Sequence, residues 1–288
     1  MPVPPHLHAL LEDARAARSA EADLGPAVQA HRGHRQAWYG DVVGPLVVRD
    51  ETLPRLAGER SAVGALEVVV AVSGGAGALE PAVLWATRDE PLRLTGLQVV
   101  MRESDAGDLA PNARRIVAAV DALVASGTLD EDVPVYVEPP PLRGPEPTAS
   151  WLSALDELAT VDHRLSLRAH DTDGTGPAEL QLAACIAAAL DRELRFRYAG
   201  APHAVRHPGA GAEPPGFLNV LLATRAGLDG ASPDDMSVVL QQADAEVLTE
   251  GTDPAGLVSA RRWCTTFHTD DVAGSVRDLV DLGWLTEP

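Results

Sequence analysis

Leu66-Glu-Val-Val-Val-Ala-Val-Ser73 is the stretch that decides the fold. It is rich in β-branched residues, which favour a strand, and Gly74-Gly75 closes it. The run is almost continuously apolar and does not alternate. A strand of that kind is buried on both faces, as in a parallel sheet covered by helices. Parallel neighbours need a crossover connection, and an amphipathic stretch over 78–88 supplies one directly afterwards.

The same unit recurs on both sides. Pro45-Leu-Val-Val-Arg-Asp50 precedes it, and Leu97-Gln-Val-Val-Met101 follows. Val133-Pro-Val-Tyr-Val-Glu138, Arg164-Leu-Ser-Leu-Arg-Ala169 and Leu194-Arg-Phe-Arg-Tyr198 continue the series. Ala245-Glu-Val-Leu248 and Cys264-Thr-Thr-Phe-His268 are weaker strands. Helical spacing is read over 5–20, 25–38, 51–62, 108–126, 148–160, 177–191, 215–228, 233–242 and 271–282. About eight β/α units in roughly 250 residues predict an α/β fold, a single-domain (β/α)8 TIM-barrel-like structure. The barrel is expected over 41–288, after a helical N-terminal extension over 1–40. An open doubly wound α/β sheet is the alternative.

Composition narrows the function classes. The 288 residues carry a net charge of −19, which repels nucleic-acid backbones and anionic membranes. The apolar runs are too short to span a bilayer, and the first residues lack the pattern of a secretory signal. With only Cys185 and Cys264 there is no disulfide framework, so a cytoplasmic location is expected. All 23 basic residues are arginine. Schiff-base and pyridoxal-phosphate chemistry need a lysine, and so does a P-loop. Any bound anion must meet arginine, histidine, backbone N–H groups or a metal.

In an α/β fold, ligands bind at the carboxyl ends of the strands. Those ends hold Arg49, Asp50, Ser73, Arg102, Glu103, Glu138, Arg168, His170, Asp171, Tyr198, His268 and Asp270. The loop after the 194–198 strand adds His203, Arg206 and His207. Imidazoles beside a guanidinium suit acid–base work on an anion. His203, His207 and Glu138 are therefore the catalytic candidates. Arg168, Arg206, Asn219, His170 and Tyr198 are the candidates for binding substrate. The alternative for the histidines is a divalent metal held by His170, His203 and His207, or a purely structural loop. For Arg168 it is an internal ion pair with Glu138 or Asp171. Ser73-Gly-Gly-Ala-Gly77 reads as a tight turn between strand and helix, without the third glycine of a dinucleotide fingerprint. Neither a Gly-x-Ser-x-Gly elbow nor a His-Glu-x-x-His motif is present.

These segments carry a resemblance. From Ala30-His-Arg-Gly-His-Arg-Gln-Ala-Trp-Tyr-Gly40 to the end, the chain resembles an uncharacterised family of similar length from GC-rich bacteria. That family shows an Arg-Thr-Gly-Gly turn, a Gly-Leu-His-His-Pro-x-Arg-His loop and a His-Gly-Phe-Leu-Asn helix start. Arg168 matches the turn's arginine, while Ala169-His170-Asp171 replaces its Thr-Gly-Gly. Gly200, His203, Arg206 and His207 match the loop, and Gly216-Phe-Leu-Asn219 matches the helix start. Ala201, Pro202 and Ala204 replace the loop's Leu, first His and Pro. The resemblance implies a site at this loop and no particular reaction.

The expectation is an enzyme of lyase or isomerase type acting on a small anionic metabolite at the barrel's strand ends. No cofactor is expected beyond a possible divalent metal. No nucleic-acid or membrane partner is expected, and a homodimer is left open. A metal-dependent hydrolase is one alternative. A catalytically inactive barrel serving as a binding or assembly partner is the other.

Overall fold

The computed structural model describes all residues except 1–2, 20, 22, 59–64, 89–91, 104–107, 169–178, 208–213 and 251. Eight parallel strands close into a barrel in sequence order. They are β1 (Leu11–Asp13), β2 (Val43–Arg49), β3 (Leu66–Val72) and β4 (Leu92–Val100). The circle continues with β5 (Val135–Glu138), β6 (Arg164–Arg168), β7 (Phe196–Ala199) and β8 (Cys264–Thr269). β1 pairs with β8 through Leu11↔Phe267, Glu12↔His268 and Asp13↔Thr269, which seals the sheet. Closure leaves no open edge, and it selects the barrel over the open sheet.

Helices wrap the outside. They are α1 (Leu24–Gln36), α2 (Leu53–Gly58), α3 (Leu79–Thr87), α4 (Ala110–Ala125), α5 (Ala149–Ala159) and α6 (Glu179–Leu190). After β7 come α7 (Phe217–Leu228), α8 (Pro233–Gln241), α9 (Ala245–Thr249) and α10 (Pro254–Arg261), and α11 (Val272–Asp281) follows β8. Their starts are written in the sequence. The Thr148 hydroxyl accepts from Trp151 N, the Asp271 carboxylate from Gly274 N, and Ser232 exchanges bonds with Asp235. Among the described residues no helix is long and apolar enough to cross a membrane.

Two expected elements are corrected. The described part of 5–20 is not one α-helix but two 3-10 turns around β1, so the segment assigned to an N-terminal extension over 1–40 supplies the barrel's first strand. Leu7, Leu10 and Leu11 mimic helical spacing, and all three are fully buried. Ala9 takes a φ of +46°, which no α-helix accommodates, and the chain turns there into β1. The second correction is at 245–248. That segment is α9, because the Asp244 carboxylate caps Glu246 N and Val247 N. Seven of the eight expected strands therefore survive, and the eighth lies at the other end of the chain.

Alternation along each strand sorts the side chains. Phe196 and Tyr198 of β7 and Phe267 of β8 face the helices, where Phe267 meets the Phe217 ring of α7 at 5.7 Å. Each such ring stabilises the shell by about 2–3 kcal/mol through burial. The inward positions are less usual. A barrel lumen is ordinarily filled by branched apolar residues. Here Glu12, Gln98, Glu138, Ser166, Arg197 and His268 are all buried, and register places them on the inner face. The turn after β3 is tight as expected: Gly75 has φ +71°, and a Cβ on Gly74 would lie 2.5 Å from Ala78 Cβ.

Candidate functional site

The inward polar residues form one chain of contacts through six strands. At the mouth, Arg168 Nε donates to Glu138 Oε1 at 2.6 Å. Glu138 Oε2 accepts from Gln98 Nε2 at 2.5 Å, and Gln98 Oε1 accepts from Arg197 Nη2 at 2.5 Å. Arg197 Nη1 meets Glu12 Oε2 at 3.0 Å, and its guanidinium lies 4.1 Å from the centre of the Tyr136 ring. His268 Nε2 stands 2.7 Å from the same Glu12 oxygen, off the direction of the ring N–H bond.

Charge is balanced along this chain, with two guanidinium groups facing two carboxylates. Balance is what makes burial tolerable, since each ion loses several kcal/mol of hydration. Burial alone would raise the Glu12 carboxyl. The Arg197 guanidinium, His268 and Thr266 outweigh burial and hold it at about 2. His268 is lowered, first by burial and then by Arg197, against the opposing pull of Glu12. It is therefore neutral at pH 7. An ionised Glu12 beside it favours positive charge on the imidazole should it take up a proton.

The gradient of exposure gives the mouth its direction. The Arg168 side chain is 44% exposed, the Glu138 carboxylate beneath it 11%, and Arg197 fully buried. Beside Arg168 runs a groove lined by Pro140, Leu142, Trp151, Leu182 and Cys185. Trp151 Nε1 donates to Pro140 O at 3.1 Å and fixes the loop after β5. The Cys185 thiol is pushed up to about 12 by burial, so it offers no thiolate nucleophile.

The loop after β7 forms a second, separate cluster. The His203 and His207 rings stack with centroids 3.9 Å apart. They turn toward α11, where Asp278 Oδ2 is 3.4 Å from His203 Nδ1. The loop is pinned along its length. Gly200 N and Ala201 N bond His268 O, Ser275 Oγ donates to Pro202 O, and Ala204 N donates to Asp278 Oδ2. Its carbonyls at His203 and Ala204 accept from Phe217 N and Leu218 N, satisfying the start of α7.

The sequence-derived candidates divide between these places. Glu138 and Arg168 meet at the mouth. His203 and His207 meet on the loop, facing a helix instead of the lumen. Arg206 pairs with Glu179 of α6. Asn219 is fully buried and holds four backbone groups: it accepts from Arg206 N and Gly216 N and donates to Val239 O and Gln242 O. Tyr198 points outward into the core, fully buried, with its hydroxyl raised by that burial. His170 and Asp171 lie outside the described residues. Glu12, Gln98 and Arg197 were absent from the candidates. Their signal was a lone polar residue at an inward position of an apolar strand.

Comparisons with known protein families, with curated proteins and with solved structures give no match. The class that can be stated is the one the fold defines, a (β/α)8-barrel protein.

Proposed function

We propose that the protein is an enzyme that moves a proton on a small anionic metabolite, by lyase or isomerase chemistry at the barrel mouth. One observation carries this reading: Glu12 and His268, a carboxylate–imidazole pair, are buried on the inner face of a barrel whose strand ends also hold the partly exposed Arg168–Glu138 pair. Arg168 supplies a fork for a carboxylate or phosphate. His268, neutral, supplies a base. Glu12 is its partner carboxylate, and Arg197 keeps Glu12 ionised so that Glu12 can stabilise the imidazolium that forms. His203 and His207 are not used in this scheme, because they face α11.

A second reading has its own support. Arg168 and Arg206 each already meet a carboxylate of the protein, Glu138 and Glu179. A barrel that satisfies its arginines internally suits a non-catalytic binding or assembly partner. The two are separated by titrating inorganic phosphate and short dicarboxylates while following thermal unfolding. Saturable stabilisation that Arg168→Met abolishes, together with exchange of substrate carbon-bound hydrogen in D2O that His268→Asn abolishes, fits the enzyme. Absence of both, or anion binding unchanged in Arg168→Met, overturns it.

A further inference from the structure

We propose that His203, His207 and Asp278 bind one divalent transition-metal ion, zinc above all, at a site distinct from the barrel mouth. Two imidazoles and one carboxylate are a donor set that suits zinc and its neighbours better than calcium or magnesium. Each residue offers one ligand atom, and the three atoms lie within 4.8 Å of one another. Two ligands of a tetrahedral zinc, each at its usual bond length, stand about 3.3 Å apart. His203 Nδ1 and Asp278 Oδ2 are already 3.4 Å apart.

That separation is not explained by a hydrogen bond. His203 Nδ1 is buried and makes none, although the carboxylate oxygen is its near neighbour. A nitrogen and an oxygen turned to one point, without sharing a hydrogen, is the arrangement an ion between them would produce. The stacked rings bring the second imidazole, His207, to the same place.

The site is preorganised and open. Ala204 N–H fixes the Asp278 carboxylate at 2.9 Å, and the bond from Ser275 to Pro202 O fixes the loop's entry. His207 is exposed, so an ion can enter and water can complete its coordination. The metal would tie the β7–α7 loop to α11. Acid–base chemistry at the mouth does not depend on it, so either proposal can fail alone.

The test uses the full chain, freed of metal by dialysis against a chelator. Zinc is titrated by calorimetry, and cobalt(II) absorption reports the coordination geometry. The expected result is one equivalent bound with micromolar or tighter affinity, and a higher unfolding midpoint with zinc. His203→Ala and His207→Ala should each weaken binding by at least roughly 100-fold, since losing even an outer partner costs a metal site up to that much. Asp278→Asn keeps an acceptor for Ala204 N–H and should also lose the ion. His34→Ala, on α1, should bind as the parent does. His207 is exposed, so its variant keeps the test available if His203→Ala does not fold. No saturable binding in the parent chain, or undiminished binding in His207→Ala and Asp278→Asn, overturns the proposal.

Discussion

Arg197 and Glu12 stand on β7 and β1, strands separated by β8, yet their charged ends meet across the lumen at 3.0 Å. Neither is accessible to water in any useful degree. Their contact closes the circle of strands a second time, by side chains, after the backbone has closed it through β1 and β8.

Removing one member of that pair leaves the other buried and unpaired. Arg197→Met is expected to cost about 3–5 kcal/mol, because Glu12 then faces only His268 and Thr266 while Gln98 loses its donor. Replacing both, as Glu12→Leu with Arg197→Met, should recover a large part of that loss. Denaturant unfolding of the two single variants and the double variant measures this. A double variant no better than the sum of the singles would show that the pair does not act as a unit.

The same residues set the acid limit of the fold. Glu12 is held at about 2 against an ordinary 4.5, so the folded state keeps the carboxylate ionised where the unfolded chain takes up a proton. That contribution is complete above pH 4.5 and is lost as pH falls toward 2. His268 is lowered from 6.5, so below pH 6.5 the unfolded chain binds a proton that the folded one refuses. Both effects make stability fall with acid, the histidine first. Unfolding free energy measured from pH 7 downward should decline in two stages. His268→Asn should shrink the upper stage, to which His6, His34 and His163, also lowered by burial, contribute as well, and Glu12→Gln should shrink the lower.

The parallel barrel was legible because its strands are short apolar runs between helical repeats, a pattern set by burial on two faces. β1 was not legible. Three residues flanked by leucines at helical spacing look like a helix turn, and only pairing with β2 and β8 makes Leu11–Asp13 a strand. The mouth was half legible: Glu138 and Arg168 end their strands and meet there. Glu12, Gln98 and Arg197 needed the register, since a polar residue in a strand announces its partner only when the strand order is known. Tyr198 and Asn219 were misleading for a related reason. Their polar ends sit close to the loop in sequence, while alternation and helix packing turn them into the core.

Gly216 shows how tightly the β7–α7 loop lies on the helix it precedes. Its φ of −69° and ψ of 163° are open to any residue, and serine at this position would ordinarily cap α7. A Cβ there would, however, fall 2.4 Å from Ala204 O. Gly216→Ala should therefore destabilise by roughly 1–3 kcal/mol through steric overlap alone, with no compensating cap. Thermal unfolding reads the loss. If His203, His207 and Asp278 hold a metal, the same substitution should also weaken zinc binding, because the displaced backbone is Ala204–Val205, between the two histidines.

Asn219 makes the sharpest distinction between a residue that binds substrate and one that builds the loop. Its Oδ1 takes Arg206 N–H at 2.9 Å and Gly216 N–H at 3.1 Å, and its Nδ2 serves Val239 O and Gln242 O at 2.9 and 2.7 Å. All of its hydrogen-bonding capacity is spent on backbone, leaving none for a ligand. Asn219→Ala strands buried donors and acceptors at both ends of the loop, at about 1–3 kcal/mol for each group left unsatisfied. Asn219→Asp keeps the two acceptor bonds but sets an oxygen against Val239 O and Gln242 O, so it loses the donor links specifically. Hydrogen exchange at the Arg206 and Gly216 amides should accelerate in Asn219→Ala and stay near the parent rate in Asn219→Asp. Equal acceleration in both variants would mean that the links to Val239 and Gln242, and not those to the loop amides, hold this segment in place.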